Sequence, residues 1–131
     1  MNRATVPVMK STPSSVDMLK RLVAFDTTSR NSNLALIEDV RNYLGDLGVK
    51  STLVPNAKGT KANLFASIGP EVEGGIVLSG HTDVVPVDGQ PWTTDPWQLT
   101  EKDDANLYGR GTEPTSRSAS RWAPRQPISS S

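Results

Sequence analysis

The chain has 131 residues, with 14 Lys+Arg against 14 Asp+Glu, one His and no Cys. That length suits one domain, and a zero net charge lacks the basic excess that phosphate-backbone binding requires, so no nucleic-acid partner is expected. Without Cys there is no disulfide framework, thiolate metal site or Cys nucleophile, which fits a reducing cytoplasmic setting; without an apolar run of ~18 residues, no membrane-spanning helix is expected.

Residues 1–13 carry Arg3 and Lys10 but no continuous apolar core, so they read as a flexible N-terminus and not as a secretory signal. Pro13-Ser14-Ser15, followed by Val16, Leu19, Leu22 and Val23, predicts a helix with a hydroxyl N-cap running to about Phe25. The polar stretch Asp26–Asn33 ends it. A second helix follows, with Ile37, Val40, Leu44 and Leu47 on one stripe and Gly48 as the residue just past its cap.

Short strands are predicted at Ser51–Val54, closed by Pro55–Gly59, and at Asn63–Ile68, ended by Gly69-Pro70. Ile76-Val77-Leu78-Ser79 is an unbroken apolar run of the kind buried on both faces of a sheet. Pro86–Asp104 is polar and proline-rich and reads mostly as loop, and Leu107-Tyr108-Gly109 reads as a last short strand. Two helices followed by strands indicate an α/β sheet protein.

The charges divide unevenly. Residues 1–112 hold eleven basic and thirteen acidic side chains, whereas residues 113–131 hold Arg117, Arg121 and Arg125 against Glu113. The last 19 residues, EPTSRSASRWAPRQPISSS, have six Ser, three Pro and only Trp122 and Ile128 as large apolar residues. Such a segment buries too little surface to offset its ordering entropy and is expected to be disordered.

His81, the sole histidine, directly follows the apolar run in Ser79-Gly80-His81-Thr82-Asp83. In open α/β sheets, functional groups gather at the carboxyl ends of strands. His81 and Asp83 are two apart, so in extended backbone they point the same way. A carboxylate there can take the proton on one ring nitrogen and leave the other for a metal. A zinc site needs three or four ligands, and His-x-Asp by itself is a weak signal that more often describes a loop histidine bonded to its neighbour.

The run SGHTDVVPVDG (79–89), then Trp92, Asp95-Pro96-Trp97 and LYGRGT (107–112), resembles the zinc-dependent peptidase/deacylase family that includes desuccinylases, aminoacylases and glutamate carboxypeptidases. LVAFDTTSRNSNLALIEDVRNYLGDLG (22–48) and ANLFASIGP (62–70) are similar too, and VPVDGQPW points to the family's deacetylase branch over the desuccinylases. The resemblance covers residues 14–112 and implies part of a catalytic domain with a mixed sheet flanked by helices. It also implies a lid or dimerisation domain lying elsewhere, homodimeric relatives, and an N-acyl amino acid as small-molecule substrate. Two metal ions, zinc and sometimes cobalt, activate water in such enzymes. By position, His81 matches a metal ligand, Asp83 the catalytic carboxylate that orients it, and Gly109-Arg110-Gly111 the turn that presents the next ligand.

That ligand departs from the family pattern. The family places an aspartate bridging both metals where this chain has Pro114, and proline has no donor to offer. Glu113 is one position off, and a one-residue slip reverses side-chain direction in extended backbone; Asp103 and Asp104 are the other nearby carboxylates. Pro114-Thr115-Ser116-Arg117 can be encoded CCG ACA TCA AGG, which from its third base reads Asp-Ile-Lys, close to the family's continuation. Residues 113–131 are therefore expected to be an out-of-frame tail on a truncated, inactive amide hydrolase. A non-catalytic α/β interaction module is the alternative, and an RNA-binding Arg/Ser arm a third. Trp92 and Trp97 read as loop anchors, and Asp88 and Asp95 as turn carboxylates.

Overall fold

The computed structural model describes residues 13–102 and 106–112. The expected flexible N-terminus up to residue 12, Asp103, Asp104, Glu113, Pro114 and the expected tail over 113–131 lie outside the described residues.

Helix α1 spans Ser15–Val23. Ser14 caps it twice: its Oγ accepts the Asp17 N–H at 3.1 Å, and its hydroxyl donates to the Asp17 carboxylate at 2.7 Å. The hydroxyl holds the Asp17 carboxyl below its ordinary range. Helix α2 spans Leu34–Asp46 and ends where the sequence places its stop. The Val49 N–H bonds the Leu44 carbonyl at 2.9 Å and the Gly48 N–H bonds the Gly45 carbonyl at 2.9 Å. This paired closure needs a left-handed residue at position 48, and Gly48 supplies φ 76°. Arg21 joins the two helices with two bonds to the Asp39 carboxylate, at 2.6 and 2.7 Å.

Strands β1 (Ser51–Pro55) and β2 (Ala62–Ala66) form an antiparallel hairpin with Leu53 opposite Leu64. Its turn is organised by Asn56, whose side-chain oxygen accepts the N–H groups of Thr60 and Lys61 at 2.9 and 3.2 Å. One face of the hairpin meets α2, because side chains alternate along a strand. The core there is Leu36, Ile37 and Ala62, with Leu22, Phe25, Leu34, Val40, Leu53 and Leu64 packed around them. The other face leaves Val54 and Phe65 exposed. A second antiparallel ribbon pairs β3 (Thr100–Lys102) with β4 (Asn106–Tyr108). The α/β class thus stands, with two-stranded antiparallel ribbons; the parallel pairing among the described residues is an isolated bridge between Thr28 and Val84.

Two expectations are corrected. Ile76–Ser79 is not a buried strand: residues 74–80 lie outside any strand, and Ile76, Val77 and Leu78 are 90%, 85% and 68% exposed. A strand buried on both faces needs a sheet to join and packed layers above and below it, and the described strands pair only within their own two-stranded ribbons. The stretch read as loop over Pro86–Asp104 contains β3, which forms because Asn106–Tyr108 supplies a partner ladder that Thr100–Lys102 cannot advertise alone.

Candidate functional site

His81 and Asp83 sit on the exposed side of an extended segment, and Thr82 and Val84 are half-buried on the other. The His81 Nδ1 is 2.9 Å from the Asp83 carbonyl and 3.1 Å from its Oδ1 carboxylate oxygen. Two oxygens facing one nitrogen assign the ring proton to Nδ1, which donates to both and leaves the Nε2 lone pair free to accept. Both side chains are open to solvent, at 84% and 60% exposure.

The buried side of this segment is held by the connector between α1 and α2. The Val84 N–H donates to the Thr27 carbonyl at 3.1 Å and the Ser29 N–H donates to the Val84 carbonyl at 2.9 Å. The Thr27 hydroxyl donates to the Thr82 carbonyl at 2.5 Å. Asn33 donates through Nδ2 to the Thr82 hydroxyl at 3.1 Å and to the Ala62 carbonyl at 2.9 Å, and its Oδ1 accepts the Ala62 N–H at 3.0 Å. The N-cap position of α2 is therefore spent on tertiary contacts, and the Leu34 N–H is met by the Ser32 hydroxyl at 3.2 Å. Asp26 shapes the connector: one oxygen accepts the Thr28 N–H and hydroxyl at 3.0 and 2.6 Å, the other the Asn31 amide at 3.1 Å. The Thr28 hydroxyl is the main cause of the lowered Asp26 pKa. Further along, Arg30 pairs with Asp88 at 2.8 Å and holds that carboxyl below its ordinary range.

The Gly109–Thr112 turn meets the same segment from another direction. A Cβ on Gly111 would stand 3.3 Å from Val84 Cγ1. Arg110, 3% exposed, donates to the Pro86 carbonyl at 3.3 Å and to the Gln90 side chain, and its guanidinium lies 4.7 Å from the Trp92 ring centroid. Its backbone N–H reaches the Pro96 carbonyl at 2.6 Å. Arg110 Nε is buried without a hydrogen-bond partner among the described residues. Trp92 packs as a loop anchor, its Nε1–H donating to Gln90 at 3.0 Å. Asp95 is a turn carboxylate, accepting the Trp97 N–H at 2.8 Å.

The structure pairs His81 with Asp83 and brings the Gly109-Arg110-Gly111 turn against Val84 and Pro86, further along the same segment. It does not assemble a metal centre: among the described residues, no group of three His, Asp or Glu side chains could hold an ion. One histidine and one adjacent carboxylate fall short of the three or four donors that zinc takes. Thr27 and Asn33 are missing from the sequence reading, which treats Asp26–Asn33 as a polar helix end. The available signal is the density of hydroxyl and amide side chains in DTTSRNSN, which is richer than a helix stop requires.

Residues 77–114 match the peptidase family M20/M25/M40. An acetylornithine deacetylase of Pasteurella multocida (strain Pm70) is 43% identical over 111 residues, covering 79% of this chain and 28% of that protein. Those of Edwardsiella ictaluri (strain 93-146) and Yersinia pestis are 42% and 40% identical, each over 76% of this chain and 27% and 28% of their own length. The chain thus spans under a third of the length of these relatives. Among the described residues, no helix is long and apolar enough to cross a membrane.

Proposed function

We propose that this chain, a relative of the peptidase family M20/M25/M40, derives from a cytoplasmic, metal-dependent amide hydrolase that removes the acetyl group of acetylornithine, a step of arginine biosynthesis. The observation that carries this reading is the 43% identity to the Pasteurella multocida acetylornithine deacetylase over 79% of this chain, with His81 and Asp83 inside the residues 77–114 that match the family. In this reading His81 is a metal ligand through Nε2, and Asp83 is the carboxylate that fixes its ring. The substrate is a small N-acyl amino acid, and the ions of the complete site are zinc or cobalt.

In this reading the described residues do not by themselves assemble a working site, and the chain is expected to be inactive. A single metal ligand among the described residues does not hold two ions, and the advantage of prepositioned groups is lost at a site that is not assembled. A colorimetric deacetylation assay on the purified chain with added Zn²⁺ or Co²⁺ should read no turnover above the metal-only blank, and metal-dependent turnover overturns inactivity. The origin is tested separately at the locus. A reading frame that restores Asp at the position of Pro114 and continues the deacetylase pattern is expected, and its absence sinks the proposed descent.

A second reading rests on Ile76, Val77 and Leu78, which are consecutive in sequence and all exposed. An exposed apolar strip with unpaired backbone favours association of one copy with another. This interaction-module reading expects concentration-dependent self-association, and a monomer at all concentrations counts against it.

A further inference from the structure

We propose that Thr27 and Asn33 are positioning residues for the His81–Asp83 pair, fixing the imidazole tautomer from the opposite side of the backbone. The inference deepens the functional reading above, on which the importance of His81 rests, yet its physical content concerns this chain's own hydrogen bonds.

The His81 ring is exposed, so packing does not orient it. Its orientation comes from the backbone and carboxylate of Asp83, two residues on. That local arrangement requires residues 81–83 to stay extended, and an exposed segment whose upstream neighbours make no ladder has no intrinsic reason to do so. Residues 82 and 84 supply the reason. Thr82 is gripped at its carbonyl by Thr27 and at its hydroxyl by Asn33, and Val84 is gripped at both backbone groups by Thr27 and Ser29. The grip is rigid in turn: Thr28 is 1% exposed and bonded to Asp26, and Asn33 is fixed by two bonds to the Ala62 backbone. Because alternate residues face opposite ways, fixing 82 and 84 from below fixes 81 and 83 above. Asp83 Oδ1 and its carbonyl are then held where Nδ1–H can donate to both.

His81 is the sole histidine, so its ring nitrogens give an unambiguous signal in long-range ¹H–¹⁵N correlation spectra. Recorded on the full 131-residue chain where the ring is neutral, the spectrum should show Nδ1–H as the major form. Thr27→Val keeps the shape and removes the donor; Nδ1–H should become the minor form while far-UV circular dichroism stays unchanged. Thr27→Ser should restore the original spectrum. Thr82→Val removes the acceptor for Asn33 and should shift the tautomers the same way, which keeps the test decisive should Thr27→Val lose its fold. A folded Thr27→Val or Thr82→Val chain with an unaltered His81 spectrum overturns the proposal. No metal or activity enters the measurement, so its failure is distinguishable from failure of the hydrolase reading.

Discussion

Gly109 lies so close to Val23 that a Cβ built on it would stand 2.9 Å from Val23 Cγ1 and 3.4 Å from Leu99 Cδ1. The end of α1 and the loop before β3 therefore meet over a residue with no side chain. Val23 and Leu99 are both buried, and neither can move without opening a gap elsewhere. Gly109→Ala should destabilise the chain by about 1–3 kcal/mol through overpacking. Urea titration followed by circular dichroism measures it, and an unchanged midpoint contradicts the contact.

Asp26 sets an acid limit on the connector. Its folded pKa is lowered from 3.8, chiefly by the Thr28 hydroxyl. The ionised form is the one the fold favours, so its contribution is complete above the unfolded value and is lost as pH falls through the folded one. Asp26→Asn should lower the melting temperature at neutral pH and flatten its dependence on pH below about 4. Equal losses for wild type and variant across that range would show that Asp26 is not involved.

Arg110 closes the loop from Pro86 to Trp97 onto the turn before Thr112. Arg110→Met keeps an apolar stem but removes the donor to the Pro86 carbonyl and leaves the Gln90 oxygen with only the Trp92 N–H. The loss should be about 2 kcal/mol, the range for hydrogen bonds to a buried charged group. Trp92, stacked on the guanidinium, should become more solvated, so its emission should move to longer wavelength. An unshifted spectrum with full stability argues against the clamp.

Val77 is exposed enough to carry a charge without disturbing the fold. Val77→Lys should leave the melting temperature unchanged and abolish any self-association, because a lysine on an unpaired edge disfavours pairing. Sedimentation velocity over a range of concentrations reads both species directly.

Local features were legible in the sequence. The Ser14 cap, the apolar stripe of α2 and the closure at Gly48 are each written within a few residues, where one helical period or one left-handed residue decides the outcome. The shared direction of His81 and Asp83 follows from a period of two. Non-local features were not legible. Ile76–Ser79 has the composition of a buried strand, but composition does not supply a neighbouring ladder. Thr27 and Thr82 are 55 residues apart, and nothing in either tripeptide names the other. β3 was hidden for the same reason, since three polar residues become a strand only beside Asn106–Tyr108.

Residues 74–80 make no backbone hydrogen bonds with other described residues and present apolar side chains to water. Proteases bind substrates in that same extended, unpaired form, so this linker is the natural first site of nicking by an enzyme that accepts large apolar residues. A single cut there severs the helices and hairpin from the half that holds His81. The bonds from Thr27, Ser29 and Asn33 to Thr82 and Val84 cross the cut, so the two pieces should remain together as a nicked complex that separates only in denaturant.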